Sequence, residues 1–196
     1  AAIGESMTCH QPRIARKKKL PNIWLMTDPR FGDELIPAIR RLPSGSGVIF
    51  RHYHLPHGER RKLFVKVKRV CRQRGHLLFL AGPERLAIRW HADGFHGREG
   101  KGRSRLLHSA PVHGRTALRK AKRSGADLMF ISPLFPTRSH PDAKTLGRLA
   151  YNELARQAVP ATVIALGGMT RTEARALNPA TTHGWAAIDA FRKNPA

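Results

Sequence analysis

A chain of 196 residues with 41% hydrophobic content suffices for one domain with a real core, and no stretch reaches the ~20 apolar residues of a membrane span. The two cysteines, Cys9 and Cys71, are too few for a disulfide framework, and no signal-peptide h-region stands near the N-terminus, so a reducing, cytoplasmic setting is expected. The 36 Lys and Arg against 13 Asp and Glu give a net charge of +23, a field that attracts polyanions and steers anionic ligands toward clefts.

Residues 1–20 read as a basic, disordered tail, with Met7 as the natural start after residues 1–6 and a basic run at Arg13–Lys19. An alternation then begins. Asn22–Thr27 (NIWLMT) is an apolar run that ends in Asp28-Pro29, and a short helix is expected over Asp33–Arg41. Gly47–Phe50 (GVIF) reads as a second strand. Glu59–Arg74 reads as a strongly basic helix with Leu63, Val67 and Val70 on one stripe. Leu77–Leu80 is a third strand, Pro83–Trp90 a helix opened by Pro, and Ala92–Phe95 a fourth strand. A Gly- and Arg-rich loop follows at Gly97–Arg103, and Leu106-Leu107 marks a fifth strand. Arg115–Ser124 is a helix with Gly125 just past its end.

Leu128–Ile131 is a continuous apolar run suited to a strand buried on both faces. Pro133 and Pro136 lack N–H donors and turn the chain out of the sheet, with the Thr137 and Ser139 hydroxyls just beyond. Leu146–Gln157 is a helix, and Ala161–Leu166 a seventh strand entering Gly167-Gly168. Thr172–Leu177 is a helix that Thr170 can cap, Gly184–Ile188 an eighth strand, and a short helix follows. Eight strands alternating with helices predict an α/β fold, a compact (β/α)8 TIM barrel over residues 21–196 with minimal loops. The alternative, an open doubly wound sheet, lacks a GxGxxG after the first strand. In such a barrel ligands bind at the C-terminal strand ends, which nominates the loop after Ile131.

Four pieces in this order resemble the thiamine phosphate synthase family, which includes the thiazole tautomerases. They are Trp24–Asp28 (WLMTD), Ala92–His96 (ADGFH), Gly125–Thr137 (GADLMFISPLFPT) and Ala165–Met169 (ALGGM), within a match running from Ile23 to Phe191. The resemblance implies a barrel linked to thiamine biosynthesis. A synthase of this kind joins a pyrimidine pyrophosphate to a thiazole phosphate and needs Mg²⁺ on hard oxygen ligands, cationic clamps and a phosphate nest.

Several family positions are changed. Gln, Arg and Lys after strand two become Ile49, Arg51 and Tyr53, and the Asn-Asp pair after strand three becomes Ala81-Gly82. The second metal Asp has no counterpart, so no metal site is expected, and Mg²⁺ enters only if Glu99 replaces the missing ligands. No other cofactor is expected. Arg51, His96, Ser109 and His140 stand as catalytic candidates, with His108 a further imidazole at a strand. Thr137, Ser139, Gly167 and Gly168 stand as the phosphate-binding set. Asp189 replaces a phosphate-binding Ser and would repel phosphate unless neutralised or turned away.

The expected ligand is a phosphorylated thiazole or thiamine phosphate. The alternative is a catalytically degenerate barrel that binds anions or nucleic acid, through the tail and through Arg60, Arg61, Lys62, Lys66, Lys68 and Arg69 of helix 59–74. Barrel families often pair through outer helices, so a homodimer is a further expectation, which the basic helix resists unless anions screen it.

Overall fold

The computed structural model describes residues 20–98, 104–138 and 144–193. Eight parallel strands form a closed barrel in chain order, and β8 returns to pair with β1. The strands are β1 (Ile23–Met26), β2 (Gly47–Phe50), β3 (Leu77–Ala81), β4 (Gly94–His96), β5 (Leu107–Val112), β6 (Leu128–Ile131), β7 (Thr162–Ala165) and β8 (Gly184–Ala187). The helices are α1 (Leu35–Arg41), α2 (His57–Arg74), α3 (Glu84–Trp90), α4 (Arg115–Arg123), α5 (Gly147–Gln157) and α6 (Arg171–Arg175). The (β/α)8 reading of the sequence is therefore correct. Of the expected tail, residues 1–19 lie outside the described residues, and Leu20 is packed against the core rather than part of a tail.

Apart from β4 and β5, the strands are mostly apolar on both faces because one face fills the barrel and the other meets the helices. Inside, Trp24 of β1 meets Phe79 of β3 at 5.1 Å and Phe130 of β6 at 5.5 Å, both edge to face. His96 of β4 meets Phe130 in the same manner at 5.3 Å. Gly47 on β2 makes room for this packing, since a Cβ there would collide with the Trp24 ring.

Three elements depart from the expected pattern. The first helix splits into a 3₁₀ turn, Pro29–Glu34, and α1. Asp28 caps that turn by accepting the Arg30 amide at 3.1 Å, and Pro29 presets its first φ. β5 is six residues long rather than a Leu pair, because the polar run His108–Pro111 continues in register with β6. After β8 the chain makes only a 3₁₀ turn, Asp189–Phe191, with Phe191 stacked on Trp185 at 5.3 Å.

Candidate functional site

A cavity of about 810 Å³ opens at the C-terminal ends of the strands. The loops after β6 and β7 form one wall. They continue the sheet pairing beyond the strands, with the Leu134 amide donating to Leu166 O at 2.9 Å and the Phe135 amide to Gly167 O at 3.1 Å. Gly167 and Gly168 have φ of 92° and 61°, backbone that disfavours any side chain. Space forbids one as well: a Cβ on Gly167 would stand 2.6 Å from Pro133 Cα, and one on Gly168 would strike Pro136 O. Among the described residues the amides of Gly167, Gly168 and Met169 have no acceptor, and all three residues line the cavity with Thr137, Arg138 and Lys144.

The opposite wall is a chain of charges across the loops after β1, β2 and β8. Arg51 donates from Nη2 to Asp28 Oδ2 at 2.7 Å and from Nε to Thr27 O at 2.8 Å. Asp28 Oδ1 accepts Arg30 Nε at 2.8 Å, and Arg30 Nη1 reaches both Asp189 oxygens at 3.2 and 3.4 Å. Arg192 stands 3.5 Å from Asp189. The carboxylate expected to repel phosphate is thus neutralised in place. Burial opposes the Asp28 charge, but hydrogen bonds from the Arg30 side chain and amide, with the Arg30 and Arg51 charges, outweigh it and hold the carboxyl below its ordinary value. His52 supports this wall from behind. It sits at φ 40°, stacks on Phe50, and meets Thr27 Oγ1 at 2.9 Å, the same hydroxyl that accepts the Arg51 amide. Burial, then the His54 charge, pushes its imidazole down to about 4.

His96 lines the cavity floor. Ser109 Oγ donates its one proton to Phe95 O at 3.2 Å, so it must accept from His96 Nδ1–H at 3.0 Å. The Nε2 lone pair is left for the cavity. Burial, with the charges of Arg51, His108 and His113, pushes His96 down to about 3, and it is neutral at ordinary pH. Ser109 lies beneath His96 and does not line the cavity. His108 is one register step away, so it faces outward, stacked on Phe95 at 4.3 Å with Nε2 against Gly97 O at 3.1 Å. It is not a cavity imidazole.

The imidazole the sequence reading passed over is His113, the first residue beyond β5. It lines the cavity, and its Nδ1 donates to Ser132 O at 3.0 Å. Arg98 and Tyr53 also line the cavity unforeseen. The signal for His113 was its place directly after a strand, hidden because the polar β5 run looked like loop. The expectations for Ser139, His140 and Glu99 lie outside the described residues.

Among the described residues the donor set does not fit Mg²⁺. The two carboxylates beside the mouth, Asp28 and Asp189, have their oxygens held by Arg30, Arg51 and Arg192. Among the described residues no three His, Cys, Asp or Glu gather around one point.

A (β/α)8 barrel with a cationic cavity at its C-terminal mouth is the architecture of a small-ligand barrel. Residues 25–191 match the family model described as thiamine monophosphate synthase. A thiamine-phosphate synthase of Salinibacter ruber is 32% identical over 93% of this chain and 84% of its own. One of Bacillus velezensis is 29% identical over 68% of this chain, and the match spans 64% of that protein's length. The thiamine phosphate pyrophosphorylase structure from Pyrococcus furiosus shares the fold, with a TM-score of 0.71 at 22% identity over 87% of this chain and 86% of that one. The chain belongs to the thiamine phosphate synthase family, a family of thiamine biosynthesis. Among the described residues no helix is long and apolar enough to cross a membrane.

Proposed function

We propose that the protein holds a phosphorylated thiazole in this cavity and moves a proton on its ring without a metal, as a thiazole-tautomerase-like isomerase. The observation that carries this reading is the pairing of a main-chain anion nest with a solvent-facing imidazole in one cavity. The amides of Gly167–Met169 bind the phosphate oxygens, and Thr137, Arg138 and Lys144 surround the same group. His113 has its Nδ1 proton committed to Ser132 O, so its Nε2 lone pair takes a proton from one ring atom and the imidazolium returns it to another. Atoms and charge balance without a co-reactant. His96 is too easily deprotonated for that role and instead accepts a hydrogen bond through Nε2. Arg51 gives two of its five N–H donors to Asp28 and Thr27, which fix it on the opposite wall, and its remaining N–H groups are left for an anionic ligand.

Calorimetric titration with thiazole phosphate and thiamine phosphate, with and without Mg²⁺, tests the binding. Proton NMR in deuterated water tests the chemistry. Metal-independent binding lost in Thr137→Ala, with solvent deuterium entering the ring and loss of exchange in His113→Gln, supports the reading. Binding without exchange reduces the protein to an anion-binding barrel. Binding that requires Mg²⁺ and pyrophosphate returns it to the synthases.

A further inference from the structure

The helix layer carries a second cationic feature, remote from the mouth. α2 and α3 flank a groove of about 420 Å³. Arg61, Arg69 and Arg72 of α2 and Arg89 of α3 line it, all exposed, and no acidic residue does. None of these four arginines enters an ion pair among the described residues, whereas Lys62 at the start of α2 is paired with Glu59 at 2.9 Å. The floor is apolar, built from Phe64 and Trp90, with the half-exposed Val65 beside them.

Two sets stand out among the basic residues of α2. Arg60 and Lys68 serve the fold. Arg60 donates to Arg51 O at 2.9 Å and Ala81 O at 2.7 Å, and its guanidinium lies 5.2 to 5.7 Å from the ring centres of Tyr53, Trp90 and Phe50. Lys68 donates to Trp90 O at 3.0 Å. The sequence offered both to a polyanion; Arg60 is held by two carbonyls of the fold, while Lys68 also lines the groove. The second set, around the groove, has no internal partner. Its crowding is felt by Lys68, whose ammonium is disfavoured by burial and further by the Arg72 charge.

We propose that the α2–α3 groove binds the phosphodiester backbone of double-stranded nucleic acid without reading its sequence. Charge complementarity is the first argument: four unpaired guanidinium groups meet no carboxylate. Length is the second. Arg61 to Arg72 spans about 16 Å of helix, over which one strand of a duplex presents roughly five phosphates. Side-chain type is the third, because the planar guanidinium fits phosphate oxygens two at a time, and all four exposed cations are arginine. The absence of stacking platforms decides between duplex and single strand. Phe64 and Trp90 are 1% and 4% exposed, so neither large ring is offered to an unpaired base, and the denser charge of a duplex is favoured.

The test is fluorescence anisotropy of a labelled mixed-sequence duplex across a salt series. Four phosphate contacts predict a slope of log K against log salt near −3.6, or about a hundredfold loss of affinity from 50 to 200 mM. Arg69→Glu with Arg72→Glu weakens binding at least about tenfold at low salt and flattens the slope by about two contacts. Arg119→Glu with Arg123→Glu, exposed residues of α4, makes the same charge change elsewhere and leaves binding within about twofold. Thermal melts of both variants, expected near the parent's, verify folding. Equal losses in the two variants would assign the attraction to the overall +23 charge and overturn the proposal. So would no binding at low salt, a single strand bound more tightly than the duplex, or tighter binding to vesicles containing phosphatidylserine.

Discussion

The β6–β7 wall of the cavity keeps its shape with main chain, whereas the β1–β2–β8 wall keeps its shape with charge. On the first, loop amides extend the sheet and two left-handed glycines lie where no Cβ fits. On the second, Arg51, Asp28, Arg30, Asp189 and Arg192 hold one another through long side chains. A main-chain wall tolerates almost no change at its key positions but is indifferent to pH. A side-chain wall accepts substitution and titrates. The difference teaches which wall a single substitution can remodel: the wall held by side chains yields to one, and the wall held by backbone does not.

The most forceful way to break this contrast is acid. Asp28 is held below its ordinary value, so its contribution is complete above the unfolded carboxyl range and fades as pH falls through the folded value. His52 and His96 are pushed down to about 4 and about 3 from 6.5, so the unfolded chain takes up protons that the fold refuses. Stability is complete above pH 6.5 and falls by on the order of 3 to 5 kcal/mol by about pH 4.5. Urea midpoints at the two pH values measure it, and His52→Gln with His96→Gln flattens the dependence. An unchanged slope in that variant would assign the acid lability to other groups.

Gly167→Ala tests the other wall. Strain at φ 92° and the approach of Pro133 cost about 2 to 4 kcal/mol and abolish phosphate-ester binding, read by urea denaturation and calorimetry. Retained binding would mean that the loop yields. Asp28→Asn costs less, about 1 to 2 kcal/mol, because one of Arg30 and Arg51 keeps a neutral carbonyl acceptor while the other faces the new NH2 and turns to water at the half-exposed mouth. The same variant frees cationic charge at the mouth, and titration with inorganic phosphate should show affinity rising several-fold. A fall in affinity would place Asp28 among the ligand contacts. Arg192→Ala is the smallest change, within about 0.5 kcal/mol by thermal melt, since the 3.5 Å pair with Asp189 is second to Arg30.

What was legible in the sequence follows the same division. β2 and β6 were read at their true bounds because continuous apolar runs announce buried parallel strands, and Gly167-Gly168 stood out as two glycines at a strand end. β5 was read short because His108, Ser109 and Pro111 carry no apolar signal. With its end misplaced, the outward His108 was taken for a mouth residue and His113 was missed. The charge wall was invisible for another reason. Arg30 and Asp189 are 159 positions apart and meet only because β8 closes on β1. Nothing local in either stretch predicts that encounter.

The three tryptophans occupy three separate compartments. Trp24 lies inside the barrel below the cavity floor, Trp90 under the α2–α3 groove, and Trp185 against Phe191 beyond the last strand. The indole carrying Arg60 over its ring belongs to the groove and, through that guanidinium, to the carbonyl of Arg51. The chain therefore has its own optical addresses. Emission from Trp90 reports the helix layer, that from Trp24 the barrel interior, and comparison of Trp→Phe variants separates events in one from events in the other without an added label.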